Sequence, residues 1–577
     1  MLKVGKIHAF LILSLALAVF VHWLGYKKPV YGIDDANIYF VYMRNFAEGN
    51  GFVWTVGGEH VEGFTSFLWT IIGSLFYKIS PAYFPVLLFI LNFILTFFTL
   101  LRTVHFIRAL NGIENRNILH TDILLVAILF LPLGFIEWSI LTLMETGLWM
   151  FLIVNSILLL GDSYLKGKPV NTLLFCFCIS GLVLTRPEGL LLAFVFVLLF
   201  FISAYIGNIK RALSETALPF AVYIASAAGL IGWRLYYFGY PFPNTYYAKV
   251  SGNIFDNLPT GGWYVFKFFY AYPHWAFLFA FLFIVVALLL KKFWQKRTGN
   301  FSANEKIQLL LTAILVVVLL IPVYSGGDHF KYSRFYQGML PVALIALFNF
   351  PAYKHYFYSN AIARPMKTAL TFCTVFTLLF IAKSSWFDFK LEPVATGNKI
   401  FEDFDIARKG RTIADSLNTM FISKNLKPRV GVIAAGGFGY NYKGETVDLM
   451  GLNNTLIAHM NKRKQGPRNH AAFDKKAFWL LQPDILGTFY GAELTKEPNH
   501  YLLNEKLYTF EPDQFTYKAY KGIFDDPDFI LAYQPALVQA GQSDYLFAYY
   551  NRSFLSRLDT SHFKILPLGQ NISGTLY

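Results

Sequence analysis

The sequence predicts a polytopic α-helical membrane protein that carries a mixed α/β soluble domain after its last span. Three observations support this fold class: 55% of the 577 residues are hydrophobic, only 15% are charged, and long apolar runs recur until about residue 383. The mean hydropathy is +0.44, and a soluble core of this size cannot hide so much apolar surface from water. The composition therefore assigns the first two thirds of the chain to a lipid bilayer.

About a dozen apolar runs approach the roughly 17 to 25 residues that cross a bilayer. They lie near residues 8–25, 64–79, 83–101, 118–135, 138–160, 172–185, 189–206, 217–237, 264–290, 307–323, 339–350 and 367–383. The first run follows Lys3 and Lys6 and is not followed by a small-residue cleavage site. This pattern predicts a retained signal anchor rather than a cleaved signal peptide.

Basic loops predict the orientation, because cytoplasmic loops carry the excess of Lys and Arg. Such an excess occurs at 207–216, 291–297 and 352–367, which we expect in the cytoplasm together with the N-terminus. The first outer loop, 26–63, and everything after about residue 384 then face outside. An inside start and an outside end require an odd number of crossings, so about 11 of these runs are expected to span. The candidates for the run that does not cross are 64–79, 83–101 and 172–185.

The formal net charge of +15 does not predict nucleic-acid binding. Lys and Arg fall in short segments between apolar runs, where they set topology and meet anionic lipid, and they form no single basic stripe. Cys176, Cys178 and Cys373 all lie inside apolar runs. They are expected to be buried core thiols, without a disulfide framework or a thiolate metal site.

The composition divides the chain into a membrane domain, 1–383, and a soluble α/β domain, 384–577. In the second part, Arg429–Ala435 reads as a buried strand and Thr446–Leu452 as another. The glycines of Gly436–Gly439 between them lack the Lys-Ser/Thr of a phosphate loop and the spacing of a dinucleotide fingerprint. We therefore expect a β-turn with close backbone approach there.

Chemistry is expected where polar side chains gather at the outer ends of spans, since ionisable groups at such depth are costly and usually functional. The foremost candidate is the acid pair Asp34 and Asp35, just after the first run. Two adjacent outer carboxylates, with cations in later outer loops, suit a reaction in which one group activates a hydroxyl and others hold a phosphate. Five clusters qualify. The first holds Asp34 and Asp35, with Arg44 on a predicted amphipathic interfacial helix 36–47, and Glu62. The other four are Glu145; Arg186 with Glu188; Asn244, Tyr246, Tyr247 and Lys249; and Asp328, His329, Lys331 and Arg334.

Structural roles compete with functional ones in each cluster. Arg186 and Glu188 can simply pair with each other at a helix break, and Glu145 can serve packing within the bundle. The Asp328 and His329 pair offers too few ligands for a catalytic metal ion, which wants about three.

The cations and the acid pair have ordinary alternatives as well. Lys331 and Arg334 can be interfacial residues, although positive charge is scarce on the outer face. Asp34 and Asp35 can be a solvated turn, or can bind a divalent cation such as Mg²⁺ or Mn²⁺, for which the pair alone supplies too few ligands.

Several segments occur in order from about residue 30 to about residue 485. They read DDANIYFVYMRNFAEGNGFVW, GGEHVEGFTSFLW, METGL, TRPEG, PNTYYAK, GGDHF, SRFYQGMLP, GVIAAGGFGY and VDLMGLNNTLIA. Together they resemble the polyprenyl-phosphate-dependent GT-C glycosyltransferases, in particular the mycobacterial terminal arabinofuranosyltransferases and LphB-type bacterial membrane proteins.

The resemblance implies a GT-C bundle in the bacterial inner membrane with a periplasmic C-terminal domain. It implies a polyprenyl-phosphate donor of arabinofuranose or another pentose, and a cell-envelope glycan or glycolipid as acceptor. It also implies a catalytic role for Asp34 and Asp35. Where relatives carry a Gly-His-Glu-like stretch, this chain has Arg468-Asn469-His470-Ala471, which puts an acceptor-side role of His470 in doubt.

The same chemistry gives roles to the later clusters. We expect Arg334, Lys331 and Lys249 to steady the leaving phosphate, with Arg186 as a weaker candidate. Tyr246 and Tyr247 are expected to stack on the sugar or to line the lipid groove.

Three alternatives stay open at this point. A GT-C enzyme could glycosylate a protein or a lipid A-type acceptor. A lipid-linked sugar flippase or transporter would also place charges near spans, although the sequence shows no internal repeat of the kind such proteins often have. A non-catalytic scaffold would not require the polar clusters.

Overall fold

The computed structural model describes residues 5–26, 32–113, 120–205, 208–273, 302–349, 400–467, 469–487, 493–496 and 514–568, with isolated positions within 275–291 and 368–375. The predicted span 367–383 and the predicted domain boundary at 384 lie almost wholly outside these residues, as does Cys373. Cys176 and Cys178 are buried free thiols, as expected.

Helices dominate the chain before residue 350. They are α1 (Lys6–Tyr26), α2 (Asp34–Ala47), α3 (Phe67–Ile79), α4 (Phe84–Leu110), α5 (His120–Phe130), a π-helix (Glu137–Leu141), α6 (Thr146–Lys166), α7 (Thr172–Thr185), α8 (Gly189–Ala204), α9 (Ile209–Phe238), α10 (Asn244–Lys249), α11 (Ile254–Ala271), α12 (Ala303–Ser325), α13 (Arg334–Gln337) and α14 (Leu340–Phe348). Local chemistry sets their ends. Ser302 and Glu305 form a capping box that starts α12, and Gly326, at φ +82°, ends it.

Five helices of the described chain are long and apolar enough to cross a membrane. They are Lys6–Leu24, Phe84–Leu110, Thr146–Lys166, Ile209–Phe238 and Ala303–Ser325. Four shorter apolar helices, α3, α5, α7 and α8, accompany them. The protein is thus a multi-pass membrane protein by length and composition, while the predicted number of about 11 spans stays a prediction.

The predicted span 138–160 is wrong at its start, because the helix is interrupted before α6. The π-helix ends at Leu141, and Leu143 adopts a positive φ of 59°. The carbonyls of residues 142–144 are therefore free to accept from other elements: from the Ile33 N–H, the Trp69 Nε1–H and the Asn92 amide. This interruption places Glu145 at the start of α6, within reach of Arg186.

The predicted amphipathic helix 36–47 exists as α2, but it is not an interfacial helix. Every residue from Ala36 to Met43 is buried, so this part of α2 has no exposed face. The reason is that α2 packs against α3 on one side and against two helices of the C-terminal domain on the other. It is the layer between the membrane bundle and that domain.

The C-terminal domain combines a seven-stranded sheet with short helices. Its strands are β1 (Val430–Val432), β2 (Thr446–Asp448), β3 (Ile485–Leu486), β4 (Glu493–Thr495), β5 (Tyr533–Ala540), β6 (Tyr545–Asn551) and β7 (Phe563–Pro567). Its helices are α15 (Phe401–Met420), α16 (Gly436–Asn441), α17 (Thr455–Met460), α18 (Lys475–Leu481), α19 (Phe515–Ala519), α20 (Pro527–Ala532) and α21 (Arg552–Leu555). The order is β2-β1-β3-β6-β5-β7 with β4 also on β6. Strand β1 runs parallel to β2 and β3, and the other pairs are antiparallel.

The two predicted strands of this domain are confirmed as β1 and β2, but the predicted β-turn at Gly436 is wrong. The glycines begin α16 instead. The expected close backbone approach does occur: a Cβ on Gly436 would lie 1.9 Å from the Asp34 carbonyl oxygen, and one on Gly437 would lie 2.1 Å from that of Ala407. Only glycine lets α16 sit this close to α2 and α15.

Candidate functional site

Asp34 fastens the start of α2 to the C-terminal domain. Its carboxylate accepts hydrogen bonds from the backbone N–H groups of Gly436, at 3.0 Å, and Gly437, at 2.8 Å. Burial raises the pKa of Asp34 to about 6, against the opposing effect of these two hydrogen bonds. Both oxygens are thus engaged in holding two parts of the chain together.

Asp35, the next residue, faces cations instead. Its Oδ2 lies 3.3 Å from the Lys249 Nζ and 3.8 Å from the Arg334 Nη1, and its side chain is 19% exposed. Burial alone would raise the pKa of Asp35, but the attraction of Lys249 and then of Arg334 outweighs it and lowers the pKa. Asp35 is therefore a solvent-accessible carboxylate that stays ionised at neutral pH.

Ion pairs extend from Asp35 into the helical bundle. Arg334 also pairs with Asp328 and lies over the Phe330 ring, 4.5 Å from its centroid. Arg186 bonds Glu145 at 2.5 Å and Glu188 at 3.2 Å. The predicted pairing of Arg186 with Glu188 is thus present, and Glu145 joins it.

An apolar cavity of about 610 Å³ opens between the helices on one side of Asp35. Its wall is mostly hydrophobic and includes Ile38, Phe64, Leu190, Val317 and Ile321. Three further lining residues, Leu191, Leu320 and Tyr324, are 50%, 55% and 57% exposed. Because these three lie on apolar helices or at their ends, the cavity opens toward the lipid-facing surface.

The polar end of this apolar cavity carries unused hydrogen-bonding atoms. The Thr245 Oγ1, the Ser325 Oγ and the Asp328 Oδ1 are buried and have no hydrogen-bond partner among the described residues. They lie in the cavity wall that also holds Lys249 and Arg334. A buried polar atom without a partner is costly, so these atoms suit a bound ligand with polar groups.

A second cavity of about 330 Å³ lies beneath the C-terminal domain on the other side of Asp35. Polar side chains line much of it: Asp34, Asp35, Asp403, Asp448, His329 and His470. The two cavities share Asp35, Ile38, Lys249, Leu452 and Asn469. Asp35 and Lys249 thus stand where an apolar chamber meets a polar one.

Asp403 is a member of the polar cavity that the sequence did not reveal. It lies in the first turn of α15, and burial raises its pKa to about 7, reinforced by repulsion from Asp35 and Asp34. An acid in a first helical turn is common, so nothing local distinguishes it. Asp448, by contrast, is engaged by the N–H groups of Met450 and Asn453, which makes it a structural residue.

Glu62, Arg44 and Asn244 lie outside both cavities and join parts of the chain. Glu62 forms a buried two-point ion pair with Arg234, at 2.8 Å for each closest contact. The Arg44 guanidinium donates to the Tyr440 carbonyl at 2.7 Å. The Asn244 amide donates to the carbonyls of Gly451 and Leu452. The Arg44 and Asn244 contacts join α2 and α10 to the C-terminal domain, whereas the Glu62 pair joins the segment before α3 to α9.

The aromatic and basic candidates divide between the two cavities. Tyr246 lines the apolar cavity, whereas Tyr247 packs on the His459 ring at 4.3 Å. His329 and His470 line the polar cavity with their ring centroids 4.8 Å apart. Lys331 is exposed, and its charge lowers the pKa of Asp403 slightly.

The side chains around Asp35 do not suit a divalent metal ion. Within the described ranges, no three His, Cys, Asp or Glu side chains gather around one point. The oxygens of Asp34 are occupied by backbone N–H groups, and Asp35 already faces the positive charges of Lys249 and Arg334. A hard dication wants several oxygen ligands and would be repelled by these cations.

Comparison with known proteins identifies the fold. No family model and no curated protein matches this sequence. Among solved structures, the chain is similar to the archaeal oligosaccharyltransferase AglB from Archaeoglobus fulgidus in complex with an inhibitory peptide and a dolichol-phosphate. That match has a TM-score of 0.50 and 11% sequence identity, and it covers 98% of this chain and 76% of the other.

A second structure, of the Archaeoglobus fulgidus oligosaccharyltransferase complex with Zn and sulfate, matches with a TM-score of 0.48 and 12% identity over 94% of this chain and 73% of that chain. At such low identity the likeness establishes architecture alone: the chain has the fold of the archaeal oligosaccharyltransferase AglB. The narrower resemblance to arabinofuranosyltransferases receives no support from these comparisons.

Proposed function

We propose that this protein is a membrane glycosyltransferase that moves a sugar from a polyprenyl-phosphate donor to an acceptor on the outer face of the membrane. One observation carries the proposal. The ionised and accessible Asp35 stands at the junction of a lipid-facing apolar cavity and a polar cavity, with two cations beside it.

The apolar cavity suits the donor. Its hydrophobic wall can take the first isoprene units of a lipid chain, and its polar end can take the phosphate. Lys249 and Arg334 supply the positive charge there, and the Thr245 hydroxyl supplies a hydrogen bond. Arg186 contributes less, because Glu145 and Glu188 already neutralise it.

The polar cavity suits the acceptor. An acceptor hydroxyl within hydrogen-bond reach of Asp35 would lose its proton to that carboxylate while its oxygen bonds the anomeric carbon of the sugar. The bond from that carbon to the phosphate oxygen breaks, and its electron pair leaves with the polyprenyl phosphate. Lys249 and Arg334 stabilise the negative charge that develops on the leaving phosphate. If the sugar keeps its configuration, Asp35 acts instead as the nucleophile.

Asp34 has a positioning role in this scheme. It ties α2 to α16 and so fixes the distance between Asp35 and the acceptor side of the site. The proposed catalytic carboxylate of the pair is therefore Asp35.

The sequence motifs extend the proposal to substrates and location. They favour arabinofuranose or another pentose as the sugar, and a cell-envelope glycan or glycolipid as the acceptor. They also favour the bacterial inner membrane, and the basic loops favour a cytoplasmic N-terminus with the C-terminal domain in the periplasm. A protein acceptor is the second candidate, since the AglB structure of the same fold holds an inhibitory peptide with its dolichol-phosphate.

The test uses the purified full-length protein in detergent with a panel of polyprenyl-phosphate pentoses and hexoses. We expect the wild type to release free polyprenyl phosphate from one preferred donor and the Asp35→Asn variant to release it at least about a thousandfold more slowly. Since detergent micelles hold no gradient, a flippase or transporter would give no such release. Absence of turnover with every donor, from protein that is folded by thermal melting, contradicts the proposal.

A further inference from the structure

A third depression continues the polar cavity outward across the C-terminal domain. This basic groove has a volume of about 550 Å³ and is lined by Gln465, Gly466, Pro467, Phe515, Lys518 and Lys521. Gln465, Gly466 and Lys518 are exposed, so the groove is open to solvent.

The basic groove and the polar cavity are joined. Pro467 and Phe515 line both of them. The Phe515 ring lies 5.1 Å from the His470 ring, which in turn contacts His329 inside the polar cavity. One path therefore leads from the open groove, past Phe515, to Asp35.

Lysines crowd together at the outer end of this path. Burial lowers the pKa of Lys464 to about 8, and repulsion from Lys521 adds to the effect. Burial also lowers the pKa of Lys521. Asp474 attracts both ammonium groups, but its carboxylate is bonded to the backbone N–H groups that start α18. The positive charge of the groove is thus only partly compensated by the described acids.

The sign of the charge reverses along the path. The inner cavity holds the carboxylates of Asp34, Asp35 and Asp403, whereas the groove holds Lys518 and Lys521. An acceptor with negative groups at one end and hydroxyls at the other would be oriented by this reversal, because its anionic part is repelled from the inner cavity and attracted to the groove.

We propose that the basic groove binds an anionic acceptor, a glycan or glycolipid chain bearing phosphate or carboxylate groups, and directs its hydroxyl end through the polar cavity to Asp35. This inference rests on the proposed function and adds the acceptor's chemical class. It assigns Lys518 and Lys521 as residues that bind the acceptor outside the reacting centre.

The test measures binding of a polyanion to the full-length protein in detergent. The probes are fluorescently labelled dextran sulfate and neutral dextran of the same length, followed by anisotropy. The groove variant is Lys518→Glu with Lys521→Glu. The matched control is Lys409→Glu with Lys424→Glu, which makes the same change of charge at two exposed lysines away from the groove.

We expect the groove variant to bind dextran sulfate at least about fivefold more weakly than the wild type and the control variant, with no difference for neutral dextran. The difference should shrink as salt rises from 0.1 M to 1 M, where screening shortens from about 10 Å to about 3 Å. Equal affinity of the groove and control variants for dextran sulfate would overturn the proposal. Loss of affinity for phosphatidylglycerol vesicles with unchanged affinity for dextran sulfate would overturn it as well, by assigning the lysines to the bilayer surface.

Release of polyprenyl phosphate with water as the acceptor separates this inference from the proposed function. The wild type should release it with no polyanion present, so this measurement tests the proposed function without involving the groove. Absence of this release from the wild type would contradict the proposed function, whereas equal affinity of the groove and control variants for dextran sulfate contradicts the groove assignment alone.

Discussion

The two cavities that meet at Asp35 differ in what their walls can hold. The cavity between the membrane helices is hydrophobic except at one end, where Lys249 and Arg334 lie. The cavity beneath the C-terminal domain carries four carboxylates and two imidazoles among apolar side chains. Asp35 belongs to both, while its neighbour Asp34 belongs to the second alone. The difference indicates that a phosphate ester with a lipid chain can reach Asp35 from the first cavity and a polar acceptor can reach it from the second.

The largest effect is expected from substituting Asp35, which lines both cavities. Asp35→Asn removes the base but keeps the shape, so turnover should fall by about a thousandfold or more. Release of polyprenyl phosphate with the preferred donor measures it. Asp34→Asn is the matched control. It should lower the melting temperature, since it weakens the bonds to Gly436 and Gly437, yet keep more activity than Asp35→Asn. If Asp34→Asn were less active than Asp35→Asn, Asp34 would be the catalytic carboxylate and Asp35 the positioning one.

A smaller effect is expected from substituting Lys249, which also lines both cavities. Lys249→Met removes a charge-assisted bond to the leaving phosphate, so kcat/KM for the donor should fall about 10- to 100-fold. Lys249→Arg should restore part of it. Initial rates at varied donor and varied acceptor concentrations separate the two sides of the site. A change confined to the acceptor KM would show that Lys249 acts on the acceptor and not on the leaving phosphate.

A third substitution concerns Asp403, which lines the polar cavity but not the apolar one. Asp403→Asn should raise the acceptor KM by about tenfold, roughly the loss of one hydrogen bond to a charged group, and leave the donor KM unchanged. Steady-state kinetics with both substrates varied measures it. An effect on the donor KM alone would remove Asp403 from the acceptor side.

The same variant has a pH signature. Because the pKa of Asp403 is raised from 3.8 to about 7 in the folded protein, protonation favours folding, and that stability is lost progressively as the pH rises from the lower of these values to the higher. Asp403→Asn should therefore be more stable than the wild type at pH 8, by on the order of 1 kcal/mol, and no more stable at pH 4. Thermal melting of both proteins across this range measures the difference. A constant difference at all pH values would show that Asp403 does not titrate there.

The smallest effect is expected in the wall of the apolar cavity. Thr245→Val replaces a buried hydroxyl that lacks a partner among the described residues with a methyl group of similar size. The donor KM should rise only about threefold, and the melting temperature should not fall, since the folded protein loses no hydrogen bond. A lower melting temperature with unchanged donor KM would instead give Thr245 a structural role.

Features that depend on local sequence could be predicted. The apolar run 172–185 is the helix α7 with the same bounds, because Asn171 caps its start and Pro187 follows its end. The strand within Arg429–Ala435 follows from its β-branched residues. The acid pair drew attention because charged groups beside a span are rare.

Features that depend on contacts between distant residues could not. The Asp34 carboxylate accepts a hydrogen bond from Gly436, 402 residues later, at the start of the helix that these glycines form instead of a turn. The partner of Glu62 is Arg234, in a helix that reads as an ordinary span. Asp403 becomes notable only when its helix is brought over the acid pair.

The bond between Asp34 and Gly436 also has a consequence for biosynthesis. The first of these residues leaves the ribosome 402 residues before the second, which is a delay on the order of tens of seconds at about 5–20 residues per second. Throughout that interval the first outer loop is present without the domain that closes the polar cavity over it. The complete site therefore forms only after the last third of the chain has been made and has folded against the loop, so a nascent chain carries no working centre.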